Sequence, residues 1–135
     1  MGNSPDKYDL TEANLATYEN EVLKLSKVDP TKIVVKDVKV GEYNKENITI
    51  RTIICGSDEK PKLIYTHGYG GSGALFYKCI GPLIERFQLI MIDIIGMGGS
   101  SRPKNYKEHD FTAQQSIDYF NNYFEQWRIE MGNIT

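Results

Sequence analysis

The chain is poor in the residues that carry most metal and redox chemistry. Two cysteines, Cys55 and Cys79, and two histidines, His67 and His109, are spread over 135 residues. Neither pair has the spacing of a zinc site or a C-x-x-C dithiol, so no metal is expected. Two isolated thiols read as free cysteines in a reducing compartment. Charge of one sign is missing too. Sixteen Lys and Arg against eighteen Asp and Glu leave a formal net charge of −2. Without a basic block, neither nucleic acid nor an anionic membrane is expected as the main partner. No apolar run is long enough to span a bilayer, and the longest, Leu89 to Ile95, is interrupted by Asp93.

Targeting signals are equally scarce. The polar, acidic N-terminus resembles neither a secretory signal nor an Arg-rich presequence. A myristoylation signal opening on Gly2 needs Ser or Thr where Asp6 stands. Without secretion, the sequons at Asn47 and Asn133 read as chance. The expected location is therefore intracellular, cytoplasmic or organelle-associated, with no transmembrane segment.

What is present is an alternation of helix and strand signals. Residues 9 to 27 read as a helix, with Leu15, Tyr18, Val22 and Leu25 on one face and Glu19, Glu21 and Lys24 opposite. It either packs on its own domain or docks on a membrane or partner. Asp29-Pro30 ends it, because a residue before proline avoids the helical region. Residues 33 to 40 and 47 to 55 alternate as strands, and Gly41-Glu-Tyr-Asn44 between them suits the turn of an antiparallel hairpin. Residues 62 to 66 and 89 to 92 are short strands of buried type, each running into a glycine-rich loop.

Between those two strands, Phe76, Ile80, Leu83, Ile84 and Phe87 mark a helix, bent or restarted at Gly81-Pro82. Residues 111 to 131 give the strongest helix, with a stripe of Ile117, Phe120, Phe124, Trp127 and Met131. Thr112 and Gln115 suit a capping box, and Gly132 a C-terminal stop. Strand–helix–strand–helix implies a parallel pair with right-handed crossovers. The fold class is α/β, with residues 1–30 as an N-terminal helical segment and 31–135 as the core.

The glycine loops admit more than one chemistry. Gly68-Tyr-Gly70-Gly-Ser-Gly73 is a literal G-x-G-x-x-G after a strand, and Asp93 follows at the distance a dinucleotide-binding fingerprint requires. Three features argue against that reading. A helix and a hairpin precede the strand, His67 has no role in pyrophosphate binding, and a second glycine loop follows Asp93. A plain strand-to-helix turn is another reading. The third is an oxyanion loop, in which glycines bring a backbone N–H up to a developing negative charge. There His67, Gly68, Tyr69, Gly70 and Gly71 form the loop, Tyr69 or Gly70 gives the amide, and His67 orients the loop. No cofactor is expected.

The second loop, Asp93-x-x-Gly96-x-Gly98-x-Ser100-Ser101-Arg102-Pro103, together with Phe124-Glu-Gln-Trp127-Arg128-x-x-Met131-Gly132, extends the pattern. Residues 10 to 132 resemble the α/β hydrolases, and within them the abhydrolase-domain 4/5 group of lysophospholipid-directed lipases, acyltransferases and a lipase coactivator. The resemblance implies a partial α/β-hydrolase core in which Asp93, Gly96, Gly98, Ser100 and Ser101 shape the pocket. It also implies a G-x-S-x-G nucleophile elbow on the next strand. None occurs in these 135 residues; Gly70-Gly-Ser72-Gly-Ala74 has Ala at the last position. His109 reads as a solvated loop residue.

Three expectations follow. The chain is inactive alone, with no complete catalytic set and a lipid or acyl substrate only if completed. Its third strand, unpaired on one side, needs another polypeptide to complete or cover the sheet edge. Alternatively, the chain is a non-catalytic structural or regulatory subunit, as the family includes a regulator lacking the nucleophile serine, or a dinucleotide-binding module.

Overall fold

The computed structural model describes residues 12–106 and 109–134. Helix α1 (Glu12–Lys24) leads through a 3-10 turn to strands β1 (Ile33–Tyr43) and β2 (Glu46–Cys55). Strand β3 (Lys62–Thr66), a 3-10 turn (Gly73–Phe76), helix α2 (Tyr77–Ile84), strand β4 (Gln88–Ile92) and helix α3 (Ala113–Glu130) complete the chain. The start of the first expected helix, residues 9–11, lies outside the described residues, as do Gly2 and Asp6.

The four strands form one sheet in the order β1-β2-β4-β3. β1 pairs with β2 and β2 with β4 antiparallel, whereas β3 and β4 are parallel. Alternation then sorts the core. Leu89 and Met91 of β4, with Ile53 and Cys55 of β2, pack with Leu23, Ile80 and Ile84 on the α1/α2 side. Ile90 and Ile92, with Ile48 and Ile50, pack with Trp127 on the α3 side. Strand β4 is buried along its whole length, as expected of a strand covered on both faces.

The hairpin turn differs from the expected one. β1 runs through Tyr43, and the turn is Asn44-Lys45, at φ 50° and 67°. Positive φ at both central positions matches the twist of the flanking strands, and Asn tolerates it. Gly41 instead sits in a bulge, where the register shifts between Lys39 and Gly41.

Two helices also depart from expectation. α2 continues through Pro82 instead of restarting there. α3 has its capping box, Thr112 with Gln115, but its apolar face is rotated. Ile117 is 52% exposed and Phe124 36%, while Tyr119, Phe120, Tyr123 and Met131 pack on the sheet. Tyrosines serve on that face because their rings are apolar and their hydroxyls reach outward, as Tyr119 does to Asn105. Trp127, fully buried, donates its indole N–H to Thr52 Oγ1 at 2.9 Å.

Candidate functional site

Both glycine loops leave the carboxyl ends of neighbouring parallel strands, β3 and β4. One chain leads to α2 on one face of the sheet and the other to α3 on the opposite face. Divergence of that kind opens the crevice where α/β sheets hold ligands.

The first loop is a turn, closed by the Gly71 amide on the Gly68 carbonyl at 3.1 Å. Gly70 has φ +70°, as the third residue of a type II turn requires. The central residues stand out into solvent, with Tyr69 98% exposed. Among the described residues, no acceptor is bonded to the amides of Tyr69 and Gly70. His67, by contrast, is buried. Its Nδ1–H donates to the Gly68 carbonyl at 2.7 Å, and its Nε2 accepts the Ile94 amide at 3.0 Å. A carbonyl only accepts, so the proton sits on Nδ1 and the ring is neutral. No ring nitrogen remains to serve as a base.

In the second loop the carboxylate and both serine hydroxyls are taken up by backbone. Asp93 is 1% exposed, and its carboxylate accepts Gly73 N–H at 2.6 Å and Gly99 N–H at 2.7 Å. A carboxylate with both oxygens taken by backbone amides is withheld from any ribose, so the dinucleotide reading loses its acid. A Cβ at Gly98 would collide with that carboxylate. Ser100, also buried, donates its hydroxyl to the Asp93 carbonyl at 2.6 Å and accepts the Arg51 amide at 2.9 Å. Ser101 Oγ accepts the Thr49 amide at 2.9 Å, while its own N–H reaches the Thr49 carbonyl at 3.0 Å. Beyond the end of β4, these hydroxyls satisfy the backbone of β2 as a strand would. Gly96, at φ +85°, turns the chain back so that its amide meets the Ser101 carbonyl.

Sequence reasoning missed a charged tie behind this loop. Arg51 pairs with Glu19 of α1 at 3.1 Å and with Asp37 of β1 at 3.0 Å, and its side chain would crowd any Cβ at Gly99. The available signal was a single arginine in the middle of strand β2. Desolvation raises the Glu19 pKa above its ordinary value, with Arg51 opposing the shift. The thiol of Cys55 is pushed up to about 12 by burial, which leaves it unreactive. His109 lies on an exposed turn. Among the described residues no His, Cys, Asp and Glu cluster suits a metal, and no helix is long and apolar enough to cross a membrane.

A sheet with paired glycine loops at the ends of its parallel strands, the first exposed and the second with its carboxylate and serines spent on backbone, defines a hydrolase-type α/β core. The sequence profile of the alpha/beta hydrolase fold family matches residues 61–130, and the chain belongs to that family. Among curated proteins it is 40% identical over 83 residues to a probable 1-acylglycerol-3-phosphate O-acyltransferase of Oryza sativa subsp. japonica, covering 58% of this chain and 19% of the relative. It is 30% identical over 105 residues to abhydrolase domain-containing protein abhd-5.2 of Caenorhabditis elegans, covering 74% and 22%. The chain thus spans about a fifth of the length of the curated relatives it matches. A putative hydrolase from Bacillus subtilis shares the fold at TM-score 0.68 and 19% identity, over 93% of this chain and 39% of the other. A membrane phospholipase A shares it at 0.64 and 20%, over 89% and 33%.

Proposed function

We propose that this chain carries the oxyanion-stabilising part of a lipid-directed ester hydrolase or acyltransferase, and that it has no activity by itself. The observation behind this reading is the exposed turn at Tyr69 and Gly70, with two unbonded amides held in place by buried His67. Preorganised donors of this kind stabilise charge that develops on a carbonyl oxygen. The relatives' names point to acyl transfer on phospholipids. The serines at hand do not supply a nucleophile on this reading. Ser100 and Ser101 are spent on backbone hydrogen bonds, and no G-x-S-x-G lies in the 135 residues.

The missing groups enter from another stretch of polypeptide at the free edge of β3. Two features of the sheet favour that edge. The β1 edge is guarded by Lys36, Asp37, Lys39 and a bulge, devices that discourage strand addition. On β3, Leu63, Ile64 and Tyr65 are half-buried, with only Lys62 at the start. Moreover, α3 lies on the opposite face from α2. A right-handed crossover continuing from α3 is therefore directed past β3, not back toward β2.

Assays with a p-nitrophenyl ester should show no turnover by the 135-residue chain. Turnover abolished by Ser72→Ala or Ser100→Ala would sink the proposal. Once completed by a polypeptide bearing the nucleophile elbow, the assembly should turn over the ester. Tyr69→Pro should then lower kcat about 10²–10³-fold, because it removes one donor while suiting that turn position. If the completed assembly stays inactive, the non-catalytic subunit reading replaces this one.

A further inference from the structure

The open edge of β3 has a fixed parity. Where β3 runs parallel to β4, the Gln88 amide donates to the Pro61 carbonyl at 2.9 Å, so residues 61, 63 and 65 turn their backbone groups toward β4. Alternation then leaves the N–H and C=O of Lys62, Ile64 and Thr66 facing outward. Among the described residues, no loop or cap bond reaches these groups. The residues that would extend the row at either end are spent. Lys60 N–H turns back to the Ser57 carbonyl, and the Gly68 carbonyl takes the Gly71 amide and His67 Nδ1–H. The outward row is therefore Lys62, Ile64 and Thr66, and stops there.

Such a row is complementary to itself. Turned about a two-fold axis through Ile64, a second copy meets it antiparallel, with Ile64 opposite Ile64 and Lys62 opposite Thr66. Every outward N–H then finds a C=O. The next registers that parity allows leave one residue of each copy unpaired. In the centred register no like charges meet, because each lysine faces an uncharged threonine. Ile64 packs on the α3 side of the sheet, and Leu63 and Tyr65 on the α2 side, so both faces continue apolar across the junction. The β1 edge is closed by its charges and bulge. Each copy thus offers one edge, and a two-fold pairing closes on itself without growing into a filament. We propose that this chain by itself forms a two-fold dimer, in which β3 pairs antiparallel with β3 of a second copy, centred on Ile64. One edge cannot hold two strands, so this dimer and the completing polypeptide compete for it. The pairing does not depend on the oxyanion reading.

The test is sedimentation equilibrium of the 135-residue chain and of variants at Thr66, which is exposed. The parent should weigh twice its 15.4 kDa and dissociate on dilution. Thr66→Lys sets like charges opposite each other at both symmetric positions and should weaken the dimer roughly 2- to 30-fold. Thr66→Glu, opposite the same lysine, should tighten it within the same range. Adding Lys62→Glu to Thr66→Lys should restore the pairing. Thr66→Pro removes an outward N–H without touching a bond to β4, and should give a monomer still folded by circular dichroism. A chain that stays at 15.4 kDa at every concentration overturns the proposal, as do assemblies larger than two. So does a dimer that Thr66→Lys and Thr66→Glu shift in the same direction or leave unmoved. None of these results bears on the oxyanion reading, which ester turnover tests separately.

Discussion

The two glycine loops look alike in sequence and are opposites in structure. The first, residues 67–71, presents unbonded amides in an exposed turn. In the second, residues 93–101, the carboxylate of Asp93 and the hydroxyls of Ser100 and Ser101 are bonded to backbone. Glycine serves two ends. At Gly70, as at Gly96, it allows a turn in open space, where a Cβ would meet no atom within 4 Å. At Gly98 it makes room, since the Asp93 carboxylate occupies the place of a Cβ. A glycine-rich loop is therefore diagnosed by which donors it leaves free, and not by its count of glycines.

The contrast breaks most completely at Asp93. Asp93→Ala leaves the buried amide of Gly73, the half-buried amide of Gly99 and a cavity, and should cost about 3–5 kcal/mol, enough to abolish a cooperative thermal transition in circular dichroism. A melting curve like that of the parent would mean the second loop is not held by this carboxylate. Next comes a paired substitution that measures the loops against each other. Gly98→Ala combines a collision with φ +51° and should cost about 2–3 kcal/mol. Gly70→Ala meets open space at φ +70° and should cost only about 1–2 kcal/mol. Urea denaturation giving equal losses would erase the distinction between room and turn.

The smallest effect concerns the tie behind the second loop. The folded pKa of Glu19 lies above its unfolded value of 4.5. The fold therefore favours the protonated form, and this stability is lost as pH rises from about 4.5 through the folded pKa. Glu19→Gln removes the slope, so the difference in Tm, variant minus parent, should grow on going from pH 4 to pH 7. A difference that shrinks over that range would reverse the assignment.

Much of the fold was legible because short apolar runs here are bounded by strong punctuation. β3 falls on residues 62–66 as read, and β4 starts one residue earlier, at Gln88. The Thr112–Gln115 box and Gly132 bracket α3. The hairpin turn was misplaced because Asn44-Lys45 contains no glycine, whereas Gly41 nearby does and belongs to a bulge. The phase of α3 was misread because tyrosines were not counted toward its buried face. At the site, the pattern identified both loops, but their division of labour depended on contacts far apart in sequence. Ser101 with Thr49 and Arg51 with Glu19 are pairings that no local spacing announces.

His67 reaches from the first loop to the amide of Ile94, and Asp93 reaches from the second to the amide of Gly73. These ties are reciprocal, each loop holding a backbone amide of the other. Mechanically, two such braces turn a pair of hinged arms into a frame, since the arms cannot part without stretching both. Ser100 and Ser101 bolt that frame to β2. The exposed amides of Tyr69 and Gly70 are thus carried at the end of a rigid bracket whose footing is the sheet itself.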